Sequence, residues 1–567
     1  MPENHAVGRV LGTEESTPLE WWVAVSSDAY LQLGDVVHVT SEVPGVGPVR
    51  VSGIVDQVTA AHEGATYDSD VFLADEGLLP VQLSRAAHVS TTRIEPEYWV
   101  PPTPGCEVER ARGAERDQAL YFDGMERLLP AGQTRDGGPF YADYEFLDGT
   151  RGAHVSISGV SGVATKTSFA SFLLYSVFRS GVLGVAAPNT KAIVFNVKGE
   201  DLLFLDKPNS RLKPEDRERY AALGLPADPF DSVGFWSPVR RGLAPADPVV
   251  AESTSRQAGI TPYFWTVRDV VREKLLRYMF VDAHDGNSQI SDLAARVEVA
   301  LDRACEDHPS DPAIVEVGTA SGGMQAIRSF TELCKFITAE LESGQTAWTG
   351  NMAPGTISAF IRRLGSAEFH LGHLIRGAGT THPERHRIAW QENQVTVIDI
   401  HRLHDRAQRF VVGSTIAKLY EQKERSGTND PRVYIVLDEL NKYAPRDGWS
   451  PIKEVLLDIA ERGRSLGILL IGCQQTSSEV EQRIIANSAI RVVGRLDAAE
   501  AGRSEYGFLN ETLRKRAVLL KPGYMLVQQP TIPLAIEVSF PFPSWATRAA
   551  EVAATPSDDA FARFAVR

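Results

Sequence analysis

Short runs of β-branched and aromatic residues, separated by turn residues such as Gly34-Asp35, fill the first hundred positions of the chain. The strand candidates cover residues 7–12, 21–25, 36–39, 49–55 and 71–74. Closely spaced short strands are typical of a small barrel. We therefore predict a β-barrel over residues 1–100, followed by a Pro-rich linker at 101–105.

From residue 154 onward, apolar strand candidates alternate with stretches of helical periodicity. Strand candidates at 154–158 and 192–197 enclose a helix candidate at 167–179. This order implies a parallel sheet with right-handed crossovers. Further strands are expected at 395–400, 432–437, 467–472, 490–495 and 524–528, with helices at 405–422, 451–463 and 478–487. The pattern predicts an α/β fold.

Residues 205–390 interrupt this rhythm, because helical periodicity dominates at 266–281, 288–304 and 324–342. We interpret the segment as a helical insertion between strands of one core. The expected organisation is an N-terminal barrel, a first core part with its linker, the insertion, a second core part and a C-terminal helix or tail. The corresponding ranges are 1–100, 101–204, 205–390, 391–543 and 544–567.

Composition and charge narrow the protein class. With 567 residues, 43% hydrophobic and 23% charged, the chain is globular and large enough for more than one domain. The net charge of -15 argues against a protein that coats nucleic acid over its whole surface. A ring that is acidic outside and has basic residues on its pore loops remains compatible with DNA.

Thiols and apolar stretches indicate a cytoplasmic protein without a membrane segment. The four cysteines, none of them at metal-ligand spacing, fit a reducing compartment. The first ten residues lack the apolar core of a secretory signal. The most apolar stretch, 169–188, contains Arg179, Gly181 and Gly184, so we expect a buried helix followed by a turn.

A turn of small residues followed by Lys-Thr stands between the strand at 154–158 and the helix at 167–179. In such a loop, backbone N–H groups and the helix N-terminus bind phosphate. Lys166 would neutralise the β- and γ-phosphates of ATP, and the Thr167 hydroxyl would bind Mg²⁺. The predicted nucleotide-binding residues are Gly159, Gly162, Val163, Ala164, Thr165, Lys166, Thr167 and Ser168.

This loop departs from the usual G-x-x-x-x-G-K-[ST] pattern. Thr165 stands at the second glycine position, where close backbone approach to phosphate normally requires glycine. The alternative is an ordinary helix N-terminus with a chance lysine.

The apolar run at 434–437 ends in Asp438-Glu439. Buried parallel strands have such continuous apolar runs, and open α/β sheets bind ligands at the carboxyl ends of their strands. We predict that Asp438 holds Mg²⁺ and that Glu439 activates the attacking water. Alternatively, the pair caps the following helix.

Five other polar residues are candidates for the same site. Gln474 follows the strand at 467–472 and could contact the γ-phosphate or the water, or be a satisfied amide in a turn. Arg464, with Arg462 as second candidate, could reach a neighbouring subunit's site and stabilise transition-state charge, or lie in a solvated basic turn. Glu200 is a candidate second carboxylate, while the nearby Lys198 is a phosphate contact or a plain surface lysine.

Taken together, these segments resemble the HerA-type ATPases of the HerA–FtsK class of RecA-like P-loop NTPases, which carry an N-terminal HAS-type β-barrel. The matching segments, in the family's order, are SGVSGVATKTS, FNVKGED, VIDIHRL, VLDELNKYAP, ERGRSLGILLIGCQQ and NSAIRVVGRLD. The chain departs from the family at Thr165, before the lysine, and at Asn196, where the family often has aspartate.

The resemblance implies a RecA-like P-loop core and a homo-hexameric ring that hydrolyses ATP with Mg²⁺ at its subunit interfaces. It further implies translocation of double-stranded DNA and a separate nuclease or anti-phage effector that docks on the ring. One functional hypothesis is therefore a DNA motor for end processing or defence. The alternative, motivated by the degenerate loop and the acidic net charge, is a nucleotide-bound ring scaffold that assembles and regulates an effector enzyme.

Overall fold

The computed structural model describes residues 6–160, 165–244, 247–253, 255–256, 258–280, 288–318 and 323–553. Two β-structures organise these residues: a closed six-stranded barrel and a twelve-stranded mixed sheet. The α/β class, the mostly parallel large sheet and the N-terminal barrel are confirmed.

The barrel is antiparallel, and alternate residues such as Trp21, Val37 and Val89 fill its interior. Its strands are β1 (Ala6–Val10), β2 (Glu20–Val25), β3 (Val36–Val43), β4 (Gly47–Glu63), β5 (Gln82–Glu95) and β6 (Glu107–Arg110). The pairing of β4 with β5 continues to Glu63 and Gln82 as a ribbon, and α1 (Asp70–Asp75) lies in the connection between these two strands.

Two sequence expectations differ from this barrel. Residues 71–74, predicted as a strand, belong to α1. The Pro-rich segment 101–105 connects two barrel strands, because β6 pairs with both β1 and β3 and closes the barrel. A short strand such as β6 gives a weak periodicity signal, so its position beyond the prolines was not apparent from the sequence.

Residues 114–196 contribute several strands of the large sheet and the long helix that contains the predicted Lys-Thr pair. Its elements are α2 (Ala114–Ala119), β7 (Leu128–Gln133), β8 (Pro139–Asp143), β9 (Val155–Ser158), α3 (Thr165–Arg179) and β10 (Thr190–Asn196). The predicted order of strand, helix and strand at 154–197 is therefore confirmed.

The segment 205–390 combines helices with short strands. Its elements are α4 (Pro214–Ala222), β11 (Val233–Pro238), β12 (Ile260–Tyr263), β13 (Trp265–Thr266), α5 (Val267–Arg272), α6 (Ser288–Ala304), β14 (Cys305–Asp307), β15 (Val315–Gly318), β16 (Met324–Ile327), α7 (Phe330–Glu342), α8 (Thr346–Thr349), α9 (Pro354–Leu371) and β17 (Ile375–Arg376). Strands β11 and β12 extend the main sheet in parallel, so the segment is not wholly helical as expected.

The remaining strands and helices complete the core. They are β18 (Val395–Asp399), α10 (Asp405–Ser426), β19 (Arg432–Leu437), α11 (Leu440–Tyr443), α12 (Pro451–Leu466), β20 (Ile468–Gln474), α13 (Gln482–Ala486), β21 (Ile490–Val493), α14 (Ala498–Ala501), α15 (Glu511–Val518), β22 (Tyr524–Gln528) and β23 (Ile536–Ser539). Of the predicted C-terminal helix or tail, residues 544–553 contain only the 3₁₀ turn Ala549–Glu551, and the rest lies outside the described residues.

The order of the large sheet brings distant segments of the chain side by side. Eight strands run parallel in the order β12-β11-β18-β10-β19-β20-β9-β21, and β22-β23-β7-β8 continue the sheet antiparallel. In this order β9 has β20 and β21 as neighbours, and β20 separates it from β19. The carboxyl ends of β9, β10, β19 and β20 consequently share one edge of the sheet.

Both faces of the parallel strands are buried. Ile435 packs in a core that includes α10 and α12, whereas Val436 packs in the core on the opposite face with Phe172 of α3. Because successive side chains of a strand point to opposite faces, burial of both faces produces the continuous apolar runs seen in the sequence. None of the helices in the described ranges is long and apolar enough to cross a membrane.

Candidate functional site

Two predicted magnesium ligands lie together at the carboxyl edge of the sheet. The Thr167 hydroxyl, in the first turn of α3, donates a hydrogen bond to Asp438 Oδ2 at 3.1 Å. Asp438 follows β19 and is 5% exposed. The fold thus joins two residues that are 271 positions apart in sequence. A hydroxyl and a carboxylate are oxygen donors of the kind that Mg²⁺ accepts.

Lys166 is buried beside this pair. Its Nζ donates to the carbonyl oxygen of Gly159 at 2.5 Å, and the Gly159 N–H donates to the Gln474 carbonyl at 3.2 Å. Burial lowers the pKa of Lys166, and the Asp438 carboxylate partly opposes that shift. A buried ammonium group near a helix N-terminus is a strong attractor for an anion.

Glu439 has an unusual backbone conformation. Its φ of 57° and ψ of 45° are left-handed, a conformation that is uncommon for residues other than glycine and is enriched at functional sites. Its N–H donates to Asp438 Oδ1 at 2.8 Å. Although Glu439 is the N-cap residue of α11, its side chain makes no capping hydrogen bond. The geometry therefore gives no support to helix capping by the Glu439 side chain.

Lys198, from the loop after β10, contacts both carboxylates. Its Nζ lies 3.1 Å from Glu439 Oε1 and 3.6 Å from Asp438 Oδ2. Burial alone would lower the pKa of Lys198, but the two carboxylates outweigh it and raise this pKa above its usual value. From the sequence, Lys198 was either a phosphate contact or a plain surface lysine. In the structure it forms ion pairs with Asp438 and Glu439.

A buried polar cluster supports the loop that carries Lys198. Asn196 Nδ2 donates to Asp399 Oδ1 at 2.9 Å and to the Gly199 carbonyl at 2.8 Å. Asp399 also accepts from Ser237 Oγ at 3.1 Å and from His401 Nδ1 at 2.7 Å. The hydrogen bond to Asp399 raises the pKa of His401.

This cluster gives a physical reason for an amide at position 196. An aspartate at that position would face the Asp399 carboxylate across a hydrogen-bond distance and repel it, whereas the amide donates to it. Asp399 was not among the predicted site residues. Asp399 lies at the end of an apolar strand, as Asp438 does, so the same sequence signal could have identified it.

Gln474 is fully buried at the end of β20. Its Nε2 donates to Ser156 Oγ at 2.7 Å and to Ser477 Oγ at 3.3 Å. Its Oε1 has no hydrogen-bond partner within the described part of the chain. Ser156 belongs to β9, so the amide is fixed next to the strand that leads into the phosphate loop.

The three other candidates lie apart from the Thr167–Asp438 pair. Glu200 accepts from the Ser255 N–H at 3.0 Å and lies 3.9 Å from Arg402. Arg462 pairs with the exposed Glu424 at 3.3 Å. Arg464, also exposed, donates through Nε to the Gly149 carbonyl at 2.6 Å. In the part of the chain that the structure describes, neither arginine forms an ion pair with Asp438 or Glu439.

A cavity of about 620 Å³ opens beside these groups. One part is lined by Lys166, Thr167, Ser168, Lys198 and Asp438, and another by most of the residues between Phe540 and Arg548. Its volume is within the range of small-molecule sites. The carboxyl-terminal lining was not predicted from the sequence. Three predicted residues, Gly162, Val163 and Ala164, lie outside the described residues, and Thr165 begins α3.

The donor set fits a phosphate-bound magnesium ion better than a metal held by protein alone. No group of three or more His, Cys, Asp or Glu side chains that could hold a metal occurs in the described ranges. Mg²⁺ often takes only one or two protein ligands and completes its shell with phosphate oxygens and water. Thr167 and Asp438 would be those ligands.

Comparison with known proteins gives structural similarity alone. No protein-family model matches the sequence, and no curated protein matches it. Among solved structures, VirB4 of Thermoanaerobacter pseudethanolicus is 17% identical, with 77% of this chain and 99% of that chain covered and a TM-score of 0.41. The bacterial conjugative coupling protein TrwB is 11% identical, with 76% and 94% covered and a TM-score of 0.45.

A third similar structure is the genome packaging NTPase B204 from Sulfolobus turreted icosahedral virus 2, in complex with ATP-gammaS. It is 11% identical, with 27% of this chain and 70% of that chain covered and a TM-score of 0.21. These TM-scores are all below 0.5 and establish neither a shared family nor a shared activity.

Proposed function

We propose that this protein is a HerA-type ATPase: a homo-hexameric ring that hydrolyses ATP and moves double-stranded DNA. The ring works with a separate nuclease or other effector in DNA end processing or anti-phage defence. The contact between Thr167 and Asp438 carries the proposal, because it joins the Lys-Thr helix start to an Asp-Glu strand end at one sheet edge. That is the arrangement in which P-loop proteins hold a nucleotide and its magnesium.

Each residue has a distinct role in this proposal. Lys166 exchanges the Gly159 carbonyl for β- and γ-phosphate oxygens, and Thr167 and Asp438 hold Mg²⁺, which offsets phosphate charge. Glu439 orients the attacking water and accepts its proton. Gln474, at the end of β20, donates a hydrogen bond to Ser156 of β9, the strand that leads into the phosphate loop. This hydrogen bond can transmit a change at the loop to β20.

The proposed ring supplies what one subunit lacks. Arg464 is exposed near the end of α12 and, among the described residues, donates its hydrogen bonds to the main-chain carbonyls of residues 149–150, which a phosphate could replace as acceptor. We infer that it enters the site of a neighbouring subunit and stabilises transition-state charge. Mixed rings test this inference: Arg464→Ala subunits combined with Lys166→Ala subunits should recover part of the activity that each lacks alone.

The decisive experiment is ATP hydrolysis by the full chain with and without linear duplex DNA. We expect DNA to stimulate hydrolysis and Glu439→Gln to lower it by about a hundredfold or more, with nucleotide binding retained. Glu461→Gln is the matched control, because Glu461 is an exposed carboxylate on α12 that pairs with Arg483. An assembled wild-type ring that hydrolyses no ATP under any DNA condition would contradict the motor.

One observation favours a second function. Lys198 forms ion pairs with the two carboxylates that a fast ATPase needs free, which fits a ring scaffold that binds nucleotide, hydrolyses it slowly and regulates an effector enzyme. The Lys166→Ala variant separates the two functions. If its rings assemble and the bound effector stays fully active, the scaffold is favoured over the motor.

A further inference from the structure

The last described part of the chain runs along α3, the helix whose first turn carries Lys166 and Thr167. Phe540 packs on two rings of α3, with centroid distances of 5.4 Å to Phe169 and 5.9 Å to Phe172. Phe169 is two positions after Thr167. The strand that ends at Ser539 is therefore followed directly by residues fixed next to the phosphate-binding turn.

A second anchor fixes the other end of this segment. Trp545 is 1% exposed and packs on Tyr175 of α3 and on Phe230, at centroid distances of 5.2 and 5.1 Å. Its carbonyl accepts a hydrogen bond from Asn209 Nδ2 at 3.0 Å. Residues 541–544 are thus held in place between two aromatic anchors on one helix.

Phe542, between the anchors, has a different environment. Phe540 and Trp545 belong to the buried core on this face of the sheet, whereas Phe542 is only half-buried and lines the cavity. The Arg211 guanidinium lies 5.7 Å from its ring centroid and forms an ion pair with Glu551 at 2.9 Å. An aromatic ring and a guanidinium in a fixed frame form a surface suited to a flat, electron-rich ring.

We infer that the segment 540–548 is the nucleobase subsite of the nucleotide pocket, with Phe542 as its stacking surface. The inference rests on the proposed function, since it gives a position to the base of a nucleotide whose phosphates lie at Lys166 and Thr167. One cavity connects the two groups, so a single ligand with a phosphate end and an aromatic end can reach both. A nucleoside triphosphate has that chemistry.

Calorimetric titration of the full chain with two probes in the presence of Mg²⁺ tests the subsite. ATP carries phosphates and a base, whereas inorganic tripolyphosphate carries phosphates alone. We expect Phe542→Ala to weaken ATP binding by about tenfold, as loss of base stacking does, and to leave tripolyphosphate binding unchanged. Phe542→Tyr, which keeps an aromatic ring, should bind ATP like the wild type.

Phe369→Ala is the matched control, because Phe369 is 84% exposed on α9 and does not line the cavity. Equal weakening of both probes by Phe542→Ala would overturn the subsite and assign Phe542 to packing. Unchanged binding of both probes would overturn it as well. A wild-type protein that binds neither probe would overturn the phosphate site itself, so failure of the proposed function is distinguishable from failure of this inference.

Discussion

Lys198 is expected to oppose the binding of magnesium, and Lys198→Gln isolates this effect. The oxygen that Lys198 approaches at 3.6 Å, Asp438 Oδ2, also accepts the hydrogen bond of Thr167. A magnesium ion held by Thr167 and Asp438 would approach the same oxygen. Because the ammonium group and the metal ion are both cations, Lys198 must withdraw from Asp438 before the ion binds.

The size of the effect follows from distance and exposure. Two unit charges about 4 Å apart interact by about 1 kcal/mol in water and about 4 kcal/mol near a protein surface. The Lys198 side chain is 45% exposed, so the lower figure applies. It agrees with the small interaction free energies that are measured for exposed ion pairs. A change of about 1 kcal/mol corresponds to about a fivefold change in affinity.

The assay compares the affinity for a fluorescent ADP analogue with Mg²⁺ and with a chelator. The ratio of the two affinities measures the contribution of magnesium, and we expect Lys198→Gln to raise this ratio by about fivefold. Lys207→Gln is the control, because Lys207 is 47% exposed and lies 3.7 Å from Asp206, a similar ion pair with other partners. An unchanged or lower ratio in Lys198→Gln would refute the reasoning.

Two further predictions concern stability. Burial lowers the pKa of His154 to about 4, so its neutral form stabilises the fold fully above about pH 6.5 and this contribution falls as the pH drops towards 4. Urea titrations should show that the free energy of unfolding of the wild type falls by about 2 kcal/mol between pH 7 and 5. The His154→Asn variant should not show this decrease. In thermal melting experiments, Gly467→Ala should lower the melting temperature more than Gly427→Ala does. Both glycines end helices at positive φ, but only at Gly467 would the new Cβ meet a backbone oxygen, that of Asn429, at 2.0 Å.

Residues at strand ends were the part of the site that the sequence could predict. Asp438 and Glu439 follow an apolar run, and Lys166 and Thr167 begin a helix after another such run. In a parallel sheet these places share one edge, so their proximity follows from pattern alone. The contact of Thr167 with Asp438 is consistent with this reasoning.

Residues whose role depends on a neighbouring strand or segment were not predictable in this way. Lys198 contacts Glu439 because β10 lies beside β19, and Asn196 contacts Asp399 because β18 lies on the other side of β10. No local pattern encodes which strands become neighbours when they are distant in sequence. The same holds for Phe542, whose position depends on the packing of Phe540 and Trp545 along α3.

The sequence by itself determined the alternation of strands and helices from residue 154, because burial of both sheet faces requires continuous apolar runs at each strand. It also determined the barrel-like pattern of the first hundred residues. Only the tertiary structure decided that β6 closes the barrel, that β11 and β12 join the main sheet, and which cation contacts the carboxylates. Periodicity records which side of an element is buried, whereas strand order and side-chain partners arise from long-range packing that no local pattern specifies.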